Sequence, residues 1–117
     1  MKFFSITLVT TSAFIMCFAH SSVLAANHPE RVNRLIKTLT SLPIAQTPGQ
    51  TSGKILISLV KLNPKKTTMY YRLAYERSYF DPIFYTYALK AGNLIRKSDL
   101  SEKQKSRILK KLSFVGY

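Results

Sequence analysis

The sequence predicts an all-α protein: a small compact bundle of four to five short helices that follows a cleaved N-terminal signal peptide. Three observations indicate this fold. Apolar residues recur at helical spacing along most of the chain after the leader. Proline and glycine separate these runs from one another. The only cysteine lies in the leader, so the stability of the remaining domain has to come from helix packing and not from disulfides.

Residues 1–25 have the features of a signal peptide. The start is positively charged, residues 3–18 are mainly apolar, and small residues stand before the expected cleavage site. We expect cleavage after Ala25 or Ala26, which leaves residues 26–117 as one basic helical domain. The protein is therefore expected in the periplasm or secreted to the extracellular space, which includes a host-directed location.

Two other interpretations of the leader stay open. Acylation at Cys17 is disfavoured because Met16 precedes it, where a small residue is usual. An uncleaved membrane anchor is disfavoured because the apolar run is shorter than the roughly 20 residues that a span needs. The leader and the residue usage are similar to those of small exported bacterial proteins, secreted effectors among them. No motif supports that similarity, so it assigns no functional residue.

The first helix after the leader is expected to begin at Pro29 and to end before Pro43. Proline suits the first turn of a helix, and Glu30 complements the positive end of the helix dipole. One face of this helix carries the apolar residues Val32, Leu35, Ile36, Leu39 and Leu42. Residues 43–53 contain two prolines and two glycines without apolar periodicity, and they are predicted to form a loop.

Residues 54–62 form the most apolar stretch after the leader. Only Ser58 and Lys61 interrupt the apolar run, and its arc on a helical wheel exceeds half of the circle, which predicts a buried central helix. The run is short and partly β-branched, so it also fits a strand. A single strand would have no partner in this chain, and this favours the helix.

Two dipeptides are predicted to start the next two helices. Asn63-Pro64 and Asp81-Pro82 each combine a capping side chain with a proline at the first helical position. The core face of the third helix consists of Met69, Tyr70, Leu73, Ala74 and Phe80. The fourth helix is expected to continue through Gly92. Its core face consists of Ile83, Phe84, Tyr87, Ala88, Ala91, Leu94 and Ile95.

A capping box of Ser101 and Gln104 is predicted to start the fifth helix. This helix presents Ile108, Leu109 and Leu112 to the core, and its opposite side is cationic over an arc of about 100°. Together with cations that end the fourth helix, these residues form the basic face, which is predicted to bind anions. Its members are Arg96, Lys97, Lys103, Arg107, Lys110 and Lys111. The alternative is a solvated face that keeps the protein soluble, although such faces usually mix both signs of charge.

A tyrosine stripe lies on the third helix. Tyr71, Tyr75 and Tyr79 recur at helical spacing beside Arg72, outside the predicted core face. Tyrosine combines an apolar ring with a polar tip and is common at interfaces, so the stripe and Arg72 are predicted to contact a partner. The alternative is that the stripe packs under another helix of the bundle.

The titratable residues argue against an enzyme. Four of the five carboxylates lie at or near predicted helix starts, where they cap the helix or complement its dipole. The fifth, Glu76, is expected to pair with Arg72. His28 lies close to the expected mature terminus, and no ligand-type residues have the spacing of a metal site. Residues 49–54 lack the spacing of a phosphate loop. We therefore expect no catalytic residue, metal or cofactor, with an unusual Lys or Tyr catalyst as the alternative.

Charge is the main pointer to function. The chain has 18 Lys and Arg against 5 Asp and Glu, a net charge of +13, and removal of Lys2 with the leader leaves +12. Such surplus charge attracts phosphates and acidic surfaces. The favoured function is an exported protein that binds phospholipid or phosphoinositide headgroups through the basic face. The alternative is an exported chaperone, inhibitor or effector that docks an acidic protein through the tyrosine stripe. Nucleic-acid binding is least favoured, because of export and the absence of a module fingerprint.

Overall fold

The computed structural model describes residues 28–112 and shows five α-helices in them, with no strand in that range. The all-α prediction is confirmed. The expected leader and the last five residues lie outside the described residues. No helix between residues 28 and 112 is both long and apolar enough to cross a membrane. The helices are α1 (Pro29–Thr40), α2 (Gly49–Leu62), α3 (Thr67–Ser78), α4 (Pro82–Lys97) and α5 (Glu102–Lys111), with a 3₁₀ turn at Pro64–Lys66.

The central element of the bundle is α2. It packs against α1, α3 and α4, and its Leu56, Leu59 and Val60 side chains are almost fully buried. A helix that is apolar around more than half of its circumference is stable only when neighbours cover several of its sides. The predicted buried central helix is confirmed, and the strand alternative is wrong.

The loop between α1 and α2 is shorter than residues 43–53, because α2 begins at Gly49. Its two glycines lie where α2 approaches α4 closely, and not in a flexible turn. A Cβ on Gly49 would come within 2.5 Å of the Phe84 backbone nitrogen, and a Cβ on Gly53 would overlap the Tyr87 ring. Glycine is therefore required here for helix-to-helix contact. These two contacts also show that α2 and α4 run in the same direction.

The opposite direction of α3 follows from two polar contacts with α2. Ser52 donates a hydrogen bond to the Ser78 hydroxyl at 2.5 Å, and the Asn63 amide donates to the Tyr70 hydroxyl at 3.3 Å. The start of α2 therefore meets the end of α3, and the end of α2 meets the start of α3. We call the end of the bundle where the start of α2 meets the end of α3 the loop end. The opposite end, where the end of α2 meets the start of α3, is the turn end.

The α1–α2 loop is fixed to the last turn of α3. The backbone amides of Ala45 and Thr47 donate to the carbonyls of Glu76 and Arg77, each at 3.0 Å. The Ser78 hydroxyl donates to the Thr47 carbonyl at 2.7 Å. The loop is thus an ordered part of the bundle, because its polar backbone groups are satisfied by a neighbouring helix end.

Arg77 is a buried cation that ties α3 to α1. Its Nη1 donates to the Leu73 carbonyl at 2.8 Å and its Nη2 to the Thr40 carbonyl at 3.2 Å. Thr40 is the last residue of α1, where a cation complements the negative end of the helix dipole. The carboxylate of Glu76 lies 3.5 Å from Arg77 Nη1, so the expected pairing of Glu76 with Arg72 is wrong.

Two of the three predicted helix caps are confirmed. Asp81 accepts the Ile83 amide at 3.1 Å, and Ser101 with Gln104 forms the complete capping box. The third prediction is wrong, because Asn63 makes no capping hydrogen bond and its side-chain amide is directed to Tyr70. A single 3₁₀ turn precedes α3 instead.

The predicted core faces hold with two exceptions. Phe80 is 50 % exposed and Ile83 is 55 % exposed, although both were assigned to the core. Phe80 lies in the turn between α3 and α4, beyond the end of the helix whose periodicity it appeared to continue. Ile83 lies in the first turn of α4, and its side chain is exposed although the neighbouring Phe84 is fully buried. The continuity of α4 through Gly92 is confirmed.

Candidate functional site

The basic face is solvent-exposed throughout. On α5, Ile108 and Leu112 are buried and Leu109 is partly buried, as predicted. All six cations of the basic face are exposed: Arg96, Lys97, Lys103, Arg107, Lys110 and Lys111. A helix that buries its apolar side presents the charged side to solvent, so the local amphipathicity of α5 produces this surface.

Local contacts fix α5 against the end of α4. The Ser101 hydroxyl accepts a hydrogen bond from the backbone N–H of Gln104 at 3.1 Å. In return, Gln104 Oε1 accepts one from the backbone N–H of Ser101 at 3.1 Å. Lys105 Nζ donates to the Arg96 carbonyl at 3.0 Å. The start of α5 is therefore held beside the last turn of α4, which places Arg96 and Lys103 on adjoining elements.

The basic face has little negative charge nearby. Asp99 and Glu102 are the only acids from residue 96 to the end of α5. Glu102 lies 3.5 Å from Lys105, whose side chain is only 16 % exposed and which is not a member of the basic face. Positive potential at such a surface attracts anionic partners. Among residues 28–112, no group of three or more His, Cys, Asp or Glu side chains could hold a metal ion.

The tyrosine stripe runs from the core to the surface. Tyr71 is only 4 % exposed, and its ring centroid lies 5.8 Å from that of Phe84. Tyr75 is partly buried, with its ring centroid 5.7 Å from that of Tyr71. Tyr79 is 46 % exposed, and Arg72 is exposed. The assignment of Tyr71 to partner contact is therefore corrected: its side chain is part of the core, covered by the first turns of α4.

An exposed apolar corner at the loop end was not found from the sequence. We use this name for Ile44, Tyr79, Phe80 and Ile83, whose exposed fractions are 60 %, 46 %, 50 % and 55 %. The hydrogen bonds of the α1–α2 loop to α3 bring Ile44 to the same end as the other three. The sequence contained a sign of this surface, because Tyr79 and Phe80 directly precede Asp81, the cap of α4. Residues between two helices do not lie on the core face of either helix.

The apolar corner has a fixed backbone. The Tyr85 hydroxyl donates to the Tyr79 carbonyl at 2.8 Å. Burial raises the pKa of the Tyr85 hydroxyl, and the neighbouring Tyr75 adds to this rise. The hydroxyl therefore stays protonated and remains a hydrogen-bond donor at neutral pH.

The apolar corner and the α4 part of the basic face lie at opposite ends of α4. Ile83 is in the first turn of α4 and Lys97 is its last residue. At 1.5 Å per residue, their backbones are about 21 Å apart along the helix axis. A partner that contacts both surfaces must therefore span about 21 Å along α4. No family model matches this chain, and neither a curated protein nor a solved structure shows significant similarity to it.

Proposed function

We propose that the protein is an exported, non-enzymatic binding protein that attaches to anionic phospholipid surfaces through the basic face. The observation that carries the proposal is the exposure of all six of its cations on two adjoining helix segments. A solvated face built for solubility alone usually mixes both signs of charge. Here, the acid closest in sequence to the α5 cations, Glu102, contacts Lys105 instead.

The expected strength of attachment suits reversible binding. Each Lys or Arg near an anionic leaflet contributes about 1 kcal/mol, and this contribution falls within a Debye length of the surface. Four α5 cations would thus contribute about 4 kcal/mol, which is of the order of a thousandfold in partitioning. Salt should weaken this binding strongly, because mobile ions screen the attraction between the exposed cations and the anionic headgroups.

The roles of the carboxylates support a non-enzymatic function. Asp81 accepts the backbone amides of Gly49 and Ile83, and Glu102 and Glu76 lie near Lys105 and Arg77 respectively. A general acid or base needs a carboxylate or imidazole placed where a substrate can reach it. These three carboxylates are engaged in capping or pairing, which leaves them poorly suited to that task.

The test is co-sedimentation of the mature chain with vesicles. Wild type should pellet with phosphatidylcholine vesicles that contain phosphatidylserine, and should stay in solution with phosphatidylcholine alone. The triple variant Lys103→Ala, Arg107→Ala and Lys110→Ala should partition about a hundredfold less well. The matched control removes three exposed cations from α1, namely Arg31, Arg34 and Lys37, and so changes the net charge equally.

Three results would reject the proposal. Equal pelleting with neutral and anionic vesicles would show that charge does not drive binding. Binding that persists at high ionic strength would exclude electrostatic attraction as its main cause, because salt screens exposed charges. Equal loss in the α5 variant and the α1 control would show that only the net charge matters, and not the basic face.

A second candidate function is supported by the apolar corner. An exported chaperone, inhibitor or effector could dock an acidic protein there, because aromatic residues and Arg are enriched in binding hot spots. Arg72 lies two helical turns before Tyr79 on the same side of α3. The variant Arg72→Ala, Tyr79→Ala should lose an acidic partner and keep vesicle binding. An acidic partner that still binds this variant would reject the second candidate, and loss of vesicle binding in it would contradict the basic face as the membrane surface.

A further inference from the structure

We infer that the membrane-binding surface extends beyond the basic face to Lys61, Lys65 and Lys66. We call these three residues the turn lysines. The inferred partner is an anionic bilayer. The inference rests on the proposed function, since it adds residues to the same surface. It differs in claiming that the end of α2 and the 3₁₀ turn face the headgroups together with the end of α4 and α5.

The helix directions place the turn lysines beside the end of α4. Gly53 of α2 faces Tyr87 of α4, and the two helices run the same way. Equal numbers of residues separate Gly53 from Leu62 and Tyr87 from Arg96. At equal rise per residue, the last turns of α2 and α4 therefore end at the same level.

Each of these two last turns is cationic. Lys61 lies in the last turn of α2, and Arg96 and Lys97 lie in the last turn of α4. All three are exposed. In the sequence, Lys61 and Arg96 are separated by the whole of α3, so their place at one end of the bundle comes from the packing of α2 against α4.

The 3₁₀ turn carries its two lysines on a well-fixed backbone. The Thr67 hydroxyl, which is fully buried, donates to the Pro64 carbonyl at 2.8 Å. The Asn63 side chain is held by the Tyr70 hydroxyl. Lys65 and Lys66 between these anchors are exposed. Fixed attachment points reduce the ordering that binding would otherwise require.

The stability of the fold does not explain Lys65 and Lys66. Cations are favourable at the end of a helix and unfavourable at its start, where the dipole is positive. Lys61 fits this rule at the end of α2, but Lys65 and Lys66 directly precede α3. The first turn of α3 contains no acid that would offset them. A negatively charged partner would offset the unfavourable interaction of these lysines with the positive end of the helix dipole.

The distribution of the cations favours a bilayer over a single phosphate. A single phosphate is held by donors that converge on one point. The turn lysines and the basic face instead lie on four different segments: the end of α2, the 3₁₀ turn, the end of α4 and α5. Exposed amines spread in this way match a plane of many headgroups, each contributing through its own charge.

The experiment compares three triple variants of the mature chain in the phosphatidylserine vesicle assay. They carry alanine at the turn lysines, at Lys103, Arg107 and Lys110, or at the α1 control residues Arg31, Arg34 and Lys37. The turn-lysine variant should partition about a hundredfold less well than wild type, similar to the α5 variant. The α1 control should lose much less. Circular dichroism of each variant should retain the helical signal.

Two further measurements test whether the ligand is a bilayer or a single headgroup, and whether the contact depends on charge. Soluble glycerophosphoserine should not displace the protein from vesicles, because a single headgroup meets only one or two cations. Replacement of all three turn lysines by arginine should preserve binding, since the charge is kept. Displacement by the soluble headgroup, or loss of binding in the arginine variant, would overturn the inference of a bilayer plane.

The outcomes separate this inference from the proposed function. If the turn-lysine variant binds like the α1 control while the α5 variant loses binding, the inference is wrong and the proposed function stands. If wild type itself fails to distinguish anionic from neutral vesicles, the proposed function is wrong and the inference falls with it. If the turn-lysine and α5 variants both lose binding and the control does not, both stand.

Discussion

Asp81 joins the starts of two helices that are far apart in the sequence. Its Oδ2 accepts the backbone amide of Gly49 at 2.6 Å, across 32 residues, and its Oδ1 accepts the amide of Ile83 at 3.1 Å. One carboxylate thus satisfies an unpaired amide at the start of both α2 and α4 and places its negative charge at two positive helix ends. This contact sets the shared direction of the two helices on which the turn end depends.

Replacement of Asp81 should destabilise the bundle more than loss of an ordinary helix cap. Asp81→Ala removes a cap, worth about 1 kcal/mol, and a charge-assisted hydrogen bond, worth about 1.5–3 kcal/mol. We expect a loss of about 2–4 kcal/mol in the free energy of unfolding, measured by urea titration. Asp99→Ala is the control, because it removes the same charge from an exposed position. A loss no larger than that of the control would contradict the bridging role.

The tyrosine stripe should divide into core and surface in a mutational test. Tyr71→Ala deletes a buried ring and should cost about 3–5 kcal/mol, which is most of the stability of a small domain. Tyr79→Ala removes a half-exposed ring and should cost less than about 1 kcal/mol. Thermal unfolding followed by circular dichroism measures both. Equal effects of the two changes would show that Tyr71 is not packed as described.

The lysines before α3 should show opposite effects on stability and binding. Lys65→Glu with Lys66→Glu places acids at the positive end of α3 and should stabilise the fold by about 0.3–1 kcal/mol per residue. The same change should abolish binding to anionic vesicles. Lys110→Glu with Lys111→Glu, at the end of α5, should weaken both binding and stability. A Lys65 and Lys66 variant that is less stable than wild type would argue that these lysines have a structural role.

Tyr70 should make the fold sensitive to alkaline pH. Burial raises the pKa of the Tyr70 hydroxyl above its ordinary value of 10.0, and the hydrogen bond from Asn63 lowers it in part. The folded state therefore holds the proton more tightly than the unfolded state. This stability is fully present below the ordinary pKa and is lost as the pH rises through the folded pKa.

Urea unfolding at increasing pH measures this dependence. Tyr70→Phe should cost about 1 kcal/mol at neutral pH, through loss of one hydrogen bond. It should also reduce the fall in stability above pH of about 10. Tyr79→Phe, which removes the hydroxyl from an exposed ring, is the matched control. An identical alkaline profile for wild type and Tyr70→Phe would assign the dependence to other groups.

The sequence by itself determined the helices, the caps of α4 and α5, and the exposure of the basic face. Each of these depends on residues within a few positions of one another: a 3.6-residue apolar period, a capping side chain three residues or fewer from its amide, or opposite faces of one short helix. The contact of Asp81 with Ile83, the cap at Ser101 and the exposure of Lys103 were therefore predictable from adjacent residues, whereas the contact of Asp81 with Gly49 was not. The prediction failed at Asn63 because its side-chain amide donates instead to the Tyr70 hydroxyl, seven residues further along the chain.

Only the tertiary structure decided which equivalent residues are buried and which charges are neighbours. Tyr71 and Tyr79 occupy the same stripe, yet only Tyr71 lies beneath α4. Gly49 and Gly53 resembled a turn, but they are the positions where α2 touches α4. Lys66 and Lys97 share one end of the bundle only because α2 and α4 run in parallel. These facts depend on how helices cross, and crossing is set by contacts between residues tens of positions apart that no local pattern contains.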